Sequence, residues 1–378
     1  MNDLDIAAYN FPQWHPDPRN DQWHGRGWTE WDLVKTAVPR YPGHRQPVEP
    51  SWGHFDESDP EWSAREIDLA ADSGLTAFIY DYYWYEDGAF LEQALDKGFL
   101  KASNRHRLKF ALMWANHNWH NWHPIRLSDK PWQDNILVDG AITADAFVRF
   151  TEKVINEYFS QPNYLRLDDL LYFSIYDLAT FINGFKGLNG AATALDRFRQ
   201  TAQNSGFGDI HLNGIVGRFG SSGTIRDTVK KLGIDSVTSY NWLDHYSMDG
   251  DSFPQGSYDK AMAANIAAWP HVTEEYGVPY IANVTTGWDS SPRCCPTDRF
   301  EFRSYPWWPV LEGNTPEMFS RALLAMKDYF TEAKPELPIF TINAWNEWTE
   351  GAYLLPDKLD GARRLDALKR IFGKDLPA

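Results

Sequence analysis

Two glutamates, Glu347 and Glu350, stand three residues apart in the segment Asn346-Glu-Trp-Thr-Glu-Gly351. If the chain turns after Glu347, side chains at this spacing lie about 5–6 Å apart at Cβ. Gly351 permits such a turn. Two neighbouring carboxyl groups push their pKa values apart, which supplies one acid and one base. This is the chemistry of glycosidic bond cleavage, and a carboxyl separation of about 5–5.5 Å favours retention of anomeric configuration.

A surface pair of glutamates is the ordinary explanation of a Glu-x-x-Glu pattern, and the pattern alone would favour it. Here the pair is framed by Asn343, Trp345 and Asn346, directly after an apolar segment with the character of a strand. Polar and aromatic residues at the carboxyl end of a barrel strand are typical of an active site. We therefore interpret Glu347 and Glu350 as the catalytic residues.

The elements that must position this pair form a regular alternation of strands and helices. The predicted strands are 6–11, 76–85, 108–114, 169–177, 210–216, 236–242, 279–285 and 338–344. The predicted helices are 59–73, 91–102, 143–159, 191–205, 227–232, 259–276, 316–333 and 360–372. Eight such units predict a single (β/α)8 TIM barrel spanning residues 1–378, with long loops at about 12–55 and 115–139. A doubly wound sheet is the main rival, but the segment after the first strand lacks the glycine-rich phosphate loop of that fold.

Polar and aromatic residues follow nearly every predicted strand, where the active site of a barrel gathers. The candidate substrate-binding residues are Tyr9, His15, Glu30, Asp81, Tyr83, Trp84, Trp114, Asn116, Asn118, Trp119, Tyr240, Trp242, Trp288, Asp289, Arg293, Asn343, Trp345 and Asn346. Each has an alternative explanation as a capping or core residue. Their recurrence, in a chain with 18 Trp and 18 Tyr, favours a concave site for a polyhydroxylated ligand.

Composition limits the classes of partner. The formal net charge of −16 opposes binding to phosphate backbones or anionic lipid, so we expect no nucleic-acid partner. No apolar run reaches the length of a membrane span. The expected partner is an oligosaccharide or polysaccharide substrate.

The cysteines and the first residues bear on the cellular compartment. Cys294 and Cys295 are the only cysteines, so no disulfide framework is expected, although a bond between these neighbours is an alternative. Strand-like sequence begins by residue 5, without the pattern of a signal peptide. We therefore expect a cytoplasmic protein, or a periplasmic or secreted one if the chain was trimmed before Met1.

A histidine series offers a metal-binding alternative. His117, His120 and His123 recur at three-residue spacing, and two histidines with a carboxylate can bind zinc. A sugar-binding loop rich in Trp, His and Asn explains the same residues without a metal. We favour that explanation and expect no metal and no cofactor.

Six segments carry a family resemblance. They are Asn10–His15, Gly27–Trp31, Tyr82–Trp84, Trp114–Trp119, Gly287–Asp289 and Asn343–Gly351. In this order they resemble glycoside hydrolase family 99 and, more closely, the WbsX-type family-99-like group. The resemblance covers residues 6–357. Many members of that group carry Glu where this chain has His117.

The resemblance implies a (β/α)8 barrel and retaining cleavage of α-mannosidic bonds. By position, Glu350 resembles the general acid/base of the family. Glu347 resembles the carboxylate that deprotonates the sugar 2-hydroxyl, which gives a 1,2-anhydro sugar. That route implies a manno-configured residue, of the mannose or rhamnose type.

Two other functions remain open at this point. WbsX-type proteins occur in O-antigen clusters, which favours a glycosyltransferase; the only candidate diphosphate site is Asp249-Gly-Asp251. A non-catalytic carbohydrate-binding barrel is the second alternative, and the presence of both Glu347 and Glu350 opposes it.

Overall fold

The predicted barrel is confirmed. The computed structural model describes residues 4–121, 123–129, 135–220, 224–248 and 252–373. Its centre is a ring of eight parallel strands. They are β1 (Asp5–Asn10), β2 (Ala77–Tyr85), β3 (Lys109–Trp114), β4 (Leu170–Ile175), β5 (Ile210–Ile215), β6 (Ser236–Thr238), β7 (Tyr280–Ile281 and Asn283–Thr285) and β8 (Ile339–Asn343).

The ring runs in chain order, with β1 paired to both β2 and β8. It is completed through β7, whose first half pairs with β6 and whose second half pairs with β8. Ala282 separates the two halves of β7. Because all these pairs are parallel, the carboxyl ends of the strands meet at one face.

Helices surround the ring. They are α1 (Pro18–His24), α2 (Trp31–Thr36), α3 (Pro60–Asp72), α4 (Ala144–Lys153), α5 (Leu178–Gly184), α6 (Leu188–Asn204), α7 (Ile225–Leu232), α8 (Tyr258–Tyr276), α9 (Pro316–Glu332) and α10 (Arg363–Phe372). Local signals set their bounds: Asp59 caps α3 by accepting from the Glu61 amide, and Gly277 ends α8 in the left-handed conformation. No helix in the described part of the chain has the length and apolar character needed to cross a bilayer.

The segment predicted as a helix at 91–102 is helical, but it is shorter and is not an α-helix. The structure has one π-helical turn at Ala94–Gly98 and one 3₁₀ turn at Phe99–Lys101. Gly98 packs so closely on Glu57 that a Cβ there would lie 2.1 Å from the Glu57 carbonyl oxygen. The predicted strand at 236–242 is also shorter, because pairing ends at Thr238.

The segment predicted as a loop up to residue 55 contains α1 and α2. Asp17 accepts a hydrogen bond from the Arg19 amide at 2.8 Å, and Pro18 occupies the first position of α1. This Asp-Pro start is the same signal that begins α3. The Trp- and Pro-rich composition of the segment obscured it.

The barrel interior is hydrogen-bonded as well as packed. Asn213 accepts from the Ser174 hydroxyl at 2.8 Å and donates to Ser236 and Thr238 at 2.9 and 3.0 Å. On the opposite side, Asn283 contacts the Thr341 hydroxyl at 3.0 Å. Satisfied polar layers of this kind hold neighbouring strands in register.

Two buried glutamates lie behind the end of β8. Glu66 accepts from the Trp345 indole at 3.0 Å, and Glu57 accepts from the Asn346 side-chain amide. Burial raises the pKa of Glu66 to about 8. Burial and the charge of Glu66 raise the pKa of Glu57 well above its ordinary value. The segment that leads to Glu347 therefore rests on two carboxyl groups that favour the protonated form.

Glu66→Gln should stabilise the protein at alkaline pH. Because the folded-state pKa lies above the unfolded value, the folded state binds more protons and stability falls as pH rises from about 4.5 to about 8. The amide keeps the acceptor for Trp345 and cannot ionise. At pH 9 the gain in unfolding free energy should exceed about 1.4 kcal/mol, the equivalent of one pKa unit. Glu61→Gln, on the exposed face of α3, is the control for denaturant titrations at pH 5 and 9, and an equal response of both variants would contradict the prediction.

Candidate active site

A cavity of about 580 Å³ opens among the loops at the carboxyl ends of the strands. This volume is in the range of small-ligand sites. Its acidic lining residues are Asp81, Asp177, Asp244, Glu347 and Glu350, and its arginines are Arg218 and Arg293. Its aromatic walls include Phe11, Tyr83, Trp119, Tyr176, Tyr240, Trp288, Tyr305 and Trp308.

The turn expected after Glu347 is present. Trp348–Glu350 forms a single 3₁₀ turn, and Gly351 follows in the left-handed conformation with φ +66°. A Cβ on Gly351 would lie 2.8 Å from Cβ of Asp289, so only glycine fits this approach. The Asp289 amide donates to the Glu350 carbonyl at 2.6 Å. As a result, both glutamates line the same cavity.

The buried Arg293 guanidinium joins the carboxyl groups of this site. It donates to Glu350, lies 3.3 Å from both Glu30 oxygens, and lies 3.9 Å from Glu347 Oε1. Glu30 is fully buried, and burial raises its pKa although Arg293 and the Thr349 hydroxyl oppose that rise. One positive charge thus interacts with three carboxyl groups. Because it cannot balance three negative charges, protonation of at least one of these carboxyl groups is favoured.

The phenol of Tyr240 bridges two of the acids. Its oxygen lies 2.8 Å from Asp81 Oδ2 and 2.9 Å from Glu347 Oε2. A phenol has one hydrogen, so it donates to one carboxylate and the other carboxyl must be protonated to donate back. Burial, as the largest cause, raises the pKa of both Asp81 and Glu347 well above their ordinary values, and the charge of Glu350 adds to both. The geometry therefore places one shared proton on this pair.

Glu350 has two chemically distinct oxygens. Tyr305 donates to Oε1 at 2.6 Å, and Arg293 donates to the same oxygen. Among the described residues both donors use Oε1, which leaves Oε2 as the oxygen available to a ligand. Since Glu350 also lines the cavity, it has the position that a general acid or base requires.

Nine of the candidate residues line the cavity: Asp81, Tyr83, Asn118, Trp119, Tyr240, Trp288, Arg293, Glu347 and Glu350. Three others support it from behind. Glu30 pairs with Arg293, and the Tyr9 ring packs 4.8 Å from the Tyr240 ring. Asp289 binds His44 at 2.9 Å and Gln46 at 2.6 Å; although burial raises its pKa, these hydrogen bonds hold it below its ordinary value.

Eight candidates lie outside the cavity wall: His15, Trp84, Trp114, Asn116, Trp242, Asn343, Trp345 and Asn346. Strand alternation turns Trp84 and Trp114 outward, where their rings pack 5.3 and 5.1 Å from Phe150. His15 bonds to main-chain carbonyls of Pro16 and Leu91. These side chains are structural contacts of the barrel.

The remaining members of this group contribute to the structure of the barrel. Trp242 donates its indole N–H to the Asn283 carbonyl at 3.0 Å. Asn116 bonds to both the amide and the carbonyl of Asp177, and Asn346 does the same to Phe11. Trp345 contacts Glu66 as described above, and Asn343 is buried at the end of β8.

Among the lining residues absent from the sequence prediction are Arg218, Asp244, Tyr305 and Trp308. Arg218 stands three residues after β5, so the strand-end rule could have found it. Asp244 follows Tyr240 and Trp242 in a short 3₁₀ turn. Tyr305 and Trp308 belong to the long loop after β7, and no local signal marks them.

The structure also places the histidine series and the two neighbouring cysteines that the sequence suggested as a metal site and a disulfide. Within the described residues, no three His, Cys, Asp or Glu side chains are grouped to hold a metal ion. His117 is half-buried beside the cavity, and the loss of solvation there lowers its pKa to about 4. Cys294 and Cys295 are both free thiols, so the vicinal disulfide is not formed.

Arg293→Met should destabilise the protein strongly. Removing one partner of a buried ion pair typically costs about 3–5 kcal/mol, because the other charges stay buried without compensation. The loss should shrink at pH 5, where the carboxyl groups take up protons. Arg303→Met, which removes an exposed pair with Glu301, is the control and should cost no more than about 1 kcal/mol. Denaturant unfolding at pH 5 and 8 measures both, and equal costs for the two variants would contradict the assignment.

Solved structures share the fold. A glycoside hydrolase-like protein superposes with a TM-score of 0.61 at 14% identity, covering 98% of this chain and 94% of that one. The GH99 endo-α-mannosidase of Bacteroides thetaiotaomicron superposes with a TM-score of 0.55 at 13% identity, covering 98% and 96%. At these identities the likeness concerns the fold.

Sequence comparison defines the family. The protein WxcX of Xanthomonas campestris pv. campestris (strain B100) is 29% identical over 381 aligned positions, which cover 97% of this chain and 49% of WxcX. The chain therefore spans about half the length of this relative. The family model described as "Glycosyltransferase WbsX" matches residues 6–368. The chain belongs to the WbsX family.

Proposed function

We propose that this chain is a retaining glycoside hydrolase that cleaves α-linked manno-configured residues, of the mannose or rhamnose type, in a bacterial-type polysaccharide or oligosaccharide. The observation that carries the proposal is the convergence of Glu347 and Glu350 on one aromatic-walled cavity, where both contact the same guanidinium. The fold shared with GH99 endo-α-mannosidase agrees with it.

The first step forms a 1,2-anhydro sugar. Glu347, as the carboxylate, takes the proton of the sugar 2-hydroxyl while the 2-oxygen attacks the anomeric carbon. The bond to the leaving oxygen breaks, and Glu350 gives that oxygen its proton. The 2-hydroxyl must be trans to the leaving group, which is why a manno configuration is required.

The second step restores the enzyme. Glu350, now ionised, takes a proton from water as the water oxygen attacks the anomeric carbon. The C1–O2 bond breaks, and Glu347 returns its proton to the 2-oxygen. Two inversions at one carbon give net retention.

Asp81 and Tyr240 support this division of roles. If Asp81 holds the proton shared through Tyr240, the phenol is free to donate to Glu347, which stays ionised as the base. Aromatic walls around the pair provide apolar surfaces for sugar rings.

Glu350→Gln and Glu347→Gln should each lower kcat/KM by about 10²–10⁴-fold, the usual share of a positioned acid or base. The assay is depolymerisation of α-mannans and rhamnose-rich O-antigen polysaccharides, with NMR of the first-formed anomer. Wild-type protein should release the retained anomer. Glu301→Gln, an exposed carboxylate outside the cavity, is the matched control. An inverted first product, or full activity of Glu350→Gln, would exclude the proposed mechanism.

Asp81→Asn should keep kcat/KM within about tenfold of wild type, equivalent to about 1.4 kcal/mol. The asparagine amide donates to the Tyr240 oxygen as a protonated carboxyl does, so the phenol still donates to Glu347. The same depolymerisation assay measures it beside Glu347→Gln. A loss as large as that of Glu347→Gln would show that Asp81 acts as an ionised group.

Transfer from a nucleotide sugar is the second candidate function, and the family description favours it. The one diphosphate-site candidate of the sequence, residues 249–251, lies outside the described residues. Incubation with nucleotide sugars and acceptor separates the two functions. Release of nucleoside diphosphate, without turnover of any polysaccharide, would support transfer instead of hydrolysis.

A further inference from the structure

Arg218 is the second arginine of the cavity wall, and its backbone is held firmly. The Arg218 carbonyl accepts from the Ala179 amide at 2.9 Å, at the start of α5. The preceding Gly217 amide donates to the Tyr276 hydroxyl at 2.8 Å. The guanidinium carbon lies 4.1 Å from the centroid of the Tyr176 ring. Stacking on this ring fixes the plane of the guanidinium at the cavity surface.

No carboxylate of the described residues forms a close ion pair with Arg218, in contrast to Arg293, and the charges of Asp244 and Asp177 act on it from a greater distance. The Arg218 Nε is enclosed and makes no hydrogen bond to the described residues. The nearby acids are engaged elsewhere: Asp177 accepts from the Thr180 amide and hydroxyl at 3.0 and 2.9 Å, and Asp244 accepts from the Tyr240 amide at 2.7 Å. Arg218 is half-buried, and an enclosed donor without a hydrogen bond is costly unless a ligand completes it.

A carboxylate fits this position better than a phosphate. Guanidinium and carboxylate are both planar and form two parallel hydrogen bonds. The cavity is lined by five carboxyl groups, so a monoanion meets less repulsion than a dianionic phosphate. The acidic lining also explains why a cation is needed to admit any anionic ligand.

Arg218 is not itself bonded to the paired glutamates. It stacks on Tyr176, whose ring lies 5.4 Å from the Tyr240 ring, and the Tyr240 phenol contacts Glu347. An anion at Arg218 would therefore meet a group outside the pair proposed to break the glycosidic bond.

We propose that Arg218, stacked on Tyr176, forms a subsite for the carboxylate of an acidic sugar, so that the natural ligand of this cavity is an acidic glycan. This inference rests on the proposed function for its choice of a sugar ligand. It adds the requirement that the glycan carry a negative charge, which the roles of Glu347 and Glu350 do not demand.

The test compares three ligands that differ at C6: methyl α-D-mannopyranosiduronate, methyl α-D-mannopyranoside and mannose 6-phosphate. Binding is followed by tryptophan fluorescence, because Trp119, Trp288 and Trp308 line the cavity. Wild-type protein should bind the uronate at least tenfold more tightly than the neutral glycoside. Arg218→Met should remove that difference with less than a twofold change for the neutral glycoside, and Arg218→Lys should retain part of it.

Arg299→Met, at an exposed arginine, is the control for loss of positive charge. Equal binding of the uronate and neutral ligands by the wild type, or an unchanged preference in Arg218→Met, would overturn the proposal. Tighter binding of mannose 6-phosphate than of the uronate would overturn the choice of carboxylate. These binding measurements need no turnover, so a failure of the proposed hydrolysis is read separately in the depolymerisation assay.

Discussion

One buried guanidinium compensates three buried carboxyl groups, and the rest of the site depends on this imbalance. Arg293 comes from the loop after β7, Glu30 from the loop after β1, and Glu347 and Glu350 from the segment after β8. Asp289, which binds His44 and Gln46, also joins the loops after β7 and β1. The attraction between Arg293 and the carboxyl groups helps to hold these loops together. Burial raises the pKa values of Glu30 and Glu347, and because one cation faces three acids, these values stay raised.

The same imbalance extends through Tyr240 to Asp81. A chain of buried acids that share protons can change its charge distribution without large movements of side chains. This property suits a reaction in which one carboxylate accepts a proton while another donates one. The barrel supplies the rigidity: Asp81 lies within β2, and Glu347 follows β8 by four residues, next to Asn346, which bonds to Phe11 after β1.

The sequence predicted the barrel and the position of the paired glutamates because both follow from local rules. Strand–helix alternation is a repeated pattern, and the turn at Gly351 needs only a glycine after two polar residues. The helix predicted at 91–102 is π- and 3₁₀-helical instead of α-helical, and Gly98 within it packs closely on Glu57, a tertiary contact that local patterns do not encode. Trp84 and Trp114 were assigned to the cavity because composition shows that a strand end is aromatic but does not show which face each ring occupies. Tyr305 and Trp308 reach the site through the long loop after β7, whose geometry local patterns do not encode.

The hydrogen bonds of Asn116 and Asn346 affect how the residues around the cavity can change during evolution. Asn116 ties the end of β3 to the end of β4, and Asn346 ties the end of β8 to the end of β1. Each amide continues the sheet's own pattern of hydrogen bonding one step beyond the last paired strand residues. These bonds hold the first residues of neighbouring loops together, and they do not depend on which side chains the more distant loop residues have. Residues that line the cavity can therefore be exchanged in related proteins without loosening the framework that holds the acids in place.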